Sequence, residues 1–174
     1  MNILFVHQNL PGQFRHLAPA LAQDPANGVV FLTQRENVVL PGVRTVLYKP
    51  RREAGRGTHH YLRLTESSVL RGQEVARACL KLARESFRPD IIIAHPGWGE
   101  SLFLKDVFPT APLLSYCEFY YLGRGADAGF DPEFSVDLDT LSRIRTRAAH
   151  LLLGLDACDR GLSLRRPARR WGIV

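Results

Sequence analysis

Three uninterrupted apolar runs constrain this chain more than anything else in it: Ile3-Leu4-Phe5-Val6, Val29-Val30-Phe31-Leu32 and Ile91-Ile92-Ile93-Ala94. A strand with one face in water alternates apolar and polar residues. These runs do not alternate, so each reads as a strand covered on both faces, as in a parallel sheet between layers of helix. Leu113-Leu114-Ser115-Tyr116 and Val43 to Tyr48 supply further strands, and Cys158 to Ser163 a short last one. Helical spacing fills the intervals. Phe14, Leu17, Ala18 and Leu21 mark a first helix, which Pro19 is expected to bend by removing one backbone bond. Val69, Leu70, Gln73, Ala76, Leu80 and Ala83 mark a second helix over about 66–86, and 100–107 reads as a short third. Leu138, Leu141, Ile144, Ala148, Leu151, Leu152 and Leu155 place a final helix with one apolar face. The order predicts an α/β fold: one parallel sheet containing Ile3–Val6, Val29–Leu32, Ile91–Ala94 and Leu113–Tyr116, with helices on both faces.

Composition narrows the function. The 174 residues are 45% apolar and 23% charged, the profile of a single globular domain. The net charge of +6 falls to +2 once Arg165, Arg166, Arg169 and Arg170 in the last eleven residues are set aside. Basicity concentrated at one end is not the patch or stripe of a nucleic-acid footprint, so no nucleic-acid partner is expected. Cys79, Cys117 and Cys158 are odd in number and lie outside any CxxC pair, so neither a disulfide scaffold nor a thiolate metal site is indicated. No apolar run approaches the roughly 20 residues of a membrane span. A cytoplasmic chain is expected, one that can also sit peripherally at the inner membrane face.

In open parallel sheets, ligands bind beyond the carboxyl ends of the strands. Three segments fall there: His7 to Gly12, His95 to Glu100, and Tyr116 to Glu118. The first matches neither GxGxxG nor GxxxxGK[ST], although Gly12 can let a ligand approach backbone amides. His7 suits a sugar hydroxyl, or a satisfied histidine under the sheet edge. In the second segment Pro96, Gly97 and Gly99 fix the backbone path and Trp98 offers a flat apolar face. Glu100 reads as the start of a helix, where the dipole would keep its carboxylate ionised near neutral pH. Capping alone explains Glu100 equally well, and gap-filling explains Trp98. The third segment sets Glu118 among Tyr116, Phe119, Tyr120 and Tyr121, a carbohydrate or partner platform, or simple packing. The expected binding residues are therefore His7, Gly12, His95, Trp98, Glu100 and Glu118. No catalytic residue is assigned. No metal is expected, since His59-His60 lacks a third ligand, and 49–60 reads as a solvent-facing loop.

The stretch Met1-Asn2-Ile3-Leu4-Phe5-Val6-His7-Gln8-Asn9-Leu10-Pro11-Gly12-Gln13-Phe14-Arg15-His16-Leu17 resembles the start of a bacterial subgroup of family 4 glycosyltransferases. His95-Pro96-Gly97-Trp98-Gly99-Glu100 with Phe103-Leu104-Lys105-Asp106 is similar to a second signature. Tyr116 to Tyr121, with Gly125-Ala126-Asp127 and Phe130-Asp131-Pro132-Glu133, is similar to a third, and Ala157 to Ser163 to a fourth. The resemblance implies a Rossmann-like domain over 1–163, corresponding to the N-terminal, mainly acceptor-binding half of a retaining GT-B enzyme. It further implies a nucleotide-sugar donor held mostly by the other half, a saccharide or glycolipid acceptor, and no Asp-x-Asp metal. Gly12 matches the first-loop glycine near the donor phosphates, and His95 and Glu100 match the cleft edge. Residues 164–174 depart from the family pattern as an arginine-rich tail, as a truncation or a shifted reading frame would leave. The isolated chain is then expected to be inactive and to self-associate through its exposed cleft face. The competing reading is a non-catalytic α/β module that binds glycan or protein through the same loops.

Overall fold

The computed structural model describes residues 1–123, 129, 131 and 133–163. The arginine-rich tail and Gly125-Ala126-Asp127, Phe130 and Pro132 of the third signature lie outside the described residues. The strands are β1 (Asn2–Val6), β2 (Gly28–Thr33), β3 (Val43–Leu47), β4 (Ile91–Ala94), β5 (Leu113–Cys117) and β6 (Arg160–Ser163). They form one sheet in the order β3-β2-β1-β4-β5-β6, and every neighbouring pair is parallel. This is the Rossmann order, with its switch point between β1 and β4, where successive connections run to opposite sides.

The period-2 geometry of strands divides the apolar runs between two cores. Leu4, Val6, Val30, Leu32, Ile92, Ala94 and Leu113 face α2 (Arg63–Arg84), which contributes Val75, Cys79 and Leu82. Ile3, Phe5, Val29, Phe31 and Ile93 face the other way, against Leu10, Phe14 and Ala18. The sheet is thus flanked by helix on both faces, as the runs predict.

Three helices differ from their sequence expectation. Pro19 does not bend a helix: Gly12–Phe14 is a separate 3-10 turn, and α1 (Leu17–Ala22) begins two residues before the proline. Its missing amide therefore falls in the first turn, where no intrahelical acceptor exists. The expected helix over 100–107 is only α3 (Leu104–Val107). Glu100, Ser101, Leu102 and Leu104 are all buried, and the chain runs through turns up to Leu104. The last helix is broken at Ala148 into α4 (Leu138–Arg147) and α5 (Ala149–Ala157). At the break, Thr65 Oγ1 of α2 donates to Thr146 O (3.2 Å), and His150 turns inward to the carbonyl of Gly97 (3.0 Å). The single apolar face is accordingly interrupted, with Leu138, Leu152 and Leu153 exposed.

Helix α2 lies directly on the loop after β4. A Cβ on Gly72 would sit 2.8 Å from Gly99 O, and one on Gly99 would sit 2.5 Å from Cβ and O of Ser68. Gly99 also has φ +97°, a left-handed conformation that side chains disfavour.

Candidate functional site

The backbone ladder runs one residue beyond the switch-point strands: His7 N–H donates to Leu32 O (3.1 Å) and His95 N–H to Val6 O (3.0 Å). The two imidazoles, at the carboxyl ends of β1 and β4, therefore lie side by side with centroids 4.6 Å apart. Both are buried. Burial, with His95 beside it, lowers the His7 pKa to about 4, and burial also lowers that of His95 despite the opposing Glu118. Near neutral pH both rings are uncharged.

Hydrogen bonds fix the tautomers. His95 Nδ1 accepts from Gly97 N–H (3.2 Å), which leaves the ring proton on Nε2, facing Glu118 Oε2 at 3.2 Å. Gln13 Nε2 donates to the same oxygen at 2.5 Å. Glu118, exposed at the end of β5, is thus held by donors from the loops after β1 and β4. His7 Nδ1 accepts from Asn9 N–H (2.8 Å), so its proton is on Nε2, which is buried without a hydrogen-bond partner. Gly12 has φ +50°, and a Cβ there would sit 2.9 Å from the His7 ring; the loop closes over His7 only with glycine at this position.

Beside this cluster is a pocket of about 330 Å³ lined by His95, Pro96, Gly97, Trp98, Glu118, Phe119, Tyr121 and Leu151. Trp98 and Tyr121 are half-buried and Phe119 is exposed. The Arg147 guanidinium lies 4.2 Å over the Tyr121 ring. The Pro96–Trp98 turn is held from both sides, by His95 on Gly97 N–H and by His150 on Gly97 O. The pocket combines a carboxylate, an imidazole and aromatic faces, the equipment for gripping a polyhydroxylated ligand.

Five of the six sequence candidates, His7, Gly12, His95, Trp98 and Glu118, meet at this rim. Glu100 does not reach the pocket. It precedes α3 by four residues rather than starting it, is 0% exposed, and accepts from the Tyr48 hydroxyl at 2.8 Å. Its other oxygen has no hydrogen-bond partner. Burial outweighs the Tyr48 bond and the Arg71 charge, and raises its pKa to about 7. The expectation of a dipole-stabilised, fully ionised carboxylate is thereby corrected. Gln13 and His150 were not foreseen. Gln13 had only its place after Gly12 to mark it, and His150 only its oddity among leucines. Among the described residues no three His, Cys, Asp or Glu side chains are grouped to hold a metal; His59 stacks on His60, which faces Asp139. No helix among them is long and apolar enough to cross a membrane.

An all-parallel sheet of this order, with a polar and aromatic rim at its switch point, is a Rossmann-like domain. Residues 25–167 match the family described as Glycosyl transferase family 4 group, and the chain belongs to that family. An Os79 variant from O. sativa, solved in complex with UDP, is similar over 94% of this chain and 46% of its own, with 12% identity and a TM-score of 0.50. The apo UGT2 of Phytolacca americana is similar over 68% of this chain and 29% of its own, with 16% identity and a TM-score of 0.46. The chain thus spans less than half the length of these solved structures. No curated protein matches the sequence.

Proposed function

We propose that the described residues form the N-terminal, acceptor-side wall of a retaining glycosyltransferase, and that the pocket between Trp98 and Glu118 receives a saccharide or glycolipid acceptor. The carrying observation is that Glu118 is held by both His95 and Gln13 while its exposed side faces a pocket floored by aromatic rings. Each group has a task in such a site. Trp98 and Phe119 offer their faces to the C–H surface of a sugar ring. Glu118 accepts a hydrogen bond from an acceptor hydroxyl and so aims its oxygen out of the pocket. His95 and Gln13 together keep Glu118 in position. The donor on this reading is a nucleotide-sugar, with the loop at Gly12 turned towards its phosphates. Transfer requires donor and acceptor to be held together, and orientation accounts for several kcal/mol of barrier. A polypeptide of these 174 residues, which supplies one wall, binds acceptor and shows no appreciable turnover.

Calorimetric titration with a panel of oligosaccharides and nucleotide-sugars tests this, alongside a radiolabelled-sugar transfer assay. Saccharide binding is expected, weakened about tenfold by Trp98→Ala or Glu118→Gln, the scale of one lost stacking or polar contact. Binding of nucleotide-sugar alone, unaffected by either substitution, would put the donor on this wall and refute the assignment.

A further inference from the structure

A second and larger cleft, of about 990 Å³, opens at the carboxyl ends of β2 and β3. Its floor is Gln34, just past β2, and Arg71 of α2; its rim is the segment 49–56 together with Arg63. The segment expected to be a plain solvent loop is in fact tied down by one carboxylate. Glu66 of α2 accepts from Arg52 (2.6 Å), from the Gly55 amide (3.1 Å) and from the Thr58 hydroxyl. These bonds hold its pKa below the ordinary value and set the rim in place.

The charge around the cleft is strongly unbalanced. Lys49, Arg51, Arg52, Arg56, Arg63 and Arg71 line it, and Glu53 is the one acid among the lining residues. Glu66 pairs with Arg52, and Glu74 is shared by Arg51 and Arg77. Lys49, Arg56, Arg63 and Arg71 form no salt bridge among the described residues. On the floor, Arg71 Nη1 and Gln34 Nε2 are both buried with no hydrogen-bond partner. Buried donors left unpaired are costly, and two of them in one cleft call for a ligand that brings several acceptor oxygens. Glu100 feels the Arg71 charge, but its Oε1 accepts from Tyr48 and its Oε2 makes no hydrogen bond to either donor. A tetrahedral, multiply charged oxyanion meets the need: it takes hydrogen bonds from guanidinium and amide N–H groups on the floor and is neutralised by the cations at the rim.

We propose that this cleft is a binding site for a phosphate group, with Arg71 and Gln34 as the donors that contact it and Lys49, Arg56 and Arg63 as the surrounding charge. The inference rests on this cleft alone and is independent of the saccharide reading of the neighbouring pocket. The phosphate can belong to a soluble ester or to a lipid headgroup, and the two sources are separable by experiment.

The test titrates the full 174-residue chain with inorganic pyrophosphate by calorimetry, and separately with phosphatidylcholine vesicles containing phosphatidic acid by co-sedimentation. Four proteins are compared: wild type, Arg71→Gln, the double variant Lys49→Ala/Arg56→Ala, and Arg84→Ala at the far end of α2 as the charge control. Pyrophosphate is expected to bind, about tenfold more weakly to Arg71→Gln and several-fold more weakly to the double variant, with Arg84→Ala like wild type. Lys49 and Arg56 are exposed, so the double variant decides the matter even where Arg71→Gln fails to fold. The same ranking with vesicles but not with pyrophosphate supports the site and assigns it to a lipid headgroup. Absence of binding to both probes, or binding that the double variant and Arg71→Gln leave unchanged, overturns the proposal.

Discussion

Replacing Glu100 by glutamine should change how the stability of this protein depends on pH. The ordinary glutamic acid pKa of 4.5 is raised in the fold to about 7. Below pH 4.5 the side chain is protonated in both folded and unfolded chains and costs nothing. Between 4.5 and 7 the unfolded chain ionises first, so stability falls as pH rises; above 7 the loss is complete. At about 1.4 kcal/mol per pH unit the full loss is about 3 kcal/mol, equivalent to about 6–12 °C in Tm for a domain of this size. Glutamine keeps the acceptor for the Tyr48 hydroxyl but puts an amide where the unpartnered oxygen was, at a pH-independent cost of about 1–3 kcal/mol. The variant should therefore be less stable than wild type at pH 4.5 and match or exceed it at pH 8. His7 works in the opposite direction. Its pKa is lowered from 6.5 to about 4, so its burial contributes stability that is complete above 6.5 and lost as pH falls through 4. The wild-type profile thus carries two opposed slopes near pH 5–6, and the quantity to read is the difference between the two proteins. Melting by circular dichroism from pH 4.5 to 8.5 measures it. A difference that stays constant over that range would refute the account of Glu100 as a buried acid with a raised pKa.

Two further outcomes follow from the loops. Gly12→Ala forces a side chain into a left-handed backbone position and against the His7 ring, and should cost about 2 kcal/mol in chemical denaturation while shifting the His7 imidazole resonances; unchanged resonances would contradict the tight closure over His7. Glu66→Ala releases Arg52, the Gly55 amide and Thr58 together, so trypsin should cut after Arg52 and Arg56 several-fold faster than in wild type at equal global stability. Equal cleavage rates would mean that Glu66 does not hold the rim.

The sheet was legible because both-face burial leaves a mark on sequence that needs no knowledge of neighbours: Ile91-Ile92-Ile93-Ala94 fits a covered parallel strand and little else. The rim residues were legible for a related reason, since His7 and His95 directly follow such strands and the strand order brings their ends together. Glu100 was misplaced because polar character in a loop says nothing about direction. Ser101, Leu102 and Leu104 all turn inward and take it with them, out of reach of the dipole on which the expectation relied. The cationic cleft was also hidden. Arg71 lies in a helix that also carries the surface residues Arg77 and Arg84, and its proximity to Gln34 depends on packing between segments 37 positions apart. The break at Ala148 is tertiary in origin too, arising from Thr65 and Gly97 and not from any helix-breaking residue.

The contact of Gly72 with Gly99 has a consequence for how this sequence can drift. Most positions on α2 are judged singly: Gln73 and Arg77 are exposed, and a variant at either is tested only by what it does to its own surroundings. Positions 72 and 99 are judged by the backbone packed against them, Gly72 by Gly99 O and Gly99 by Ser68. Each glycine leaves room that another element fills with backbone, so a methyl group at either one meets main-chain atoms that cannot swing aside. Restoring space at one does not restore it at the other, because Gly99 is also fixed by its left-handed backbone, and so no single compensating change reopens the path. In a deep mutational library these two should be intolerant even of alanine, the smallest side chain, whereas the buried Val75, Cys79 and Leu82 of the same helix are constrained by size and polarity. Natural variation at the rim of either cleft would then accumulate around this pair while leaving the pair itself unchanged.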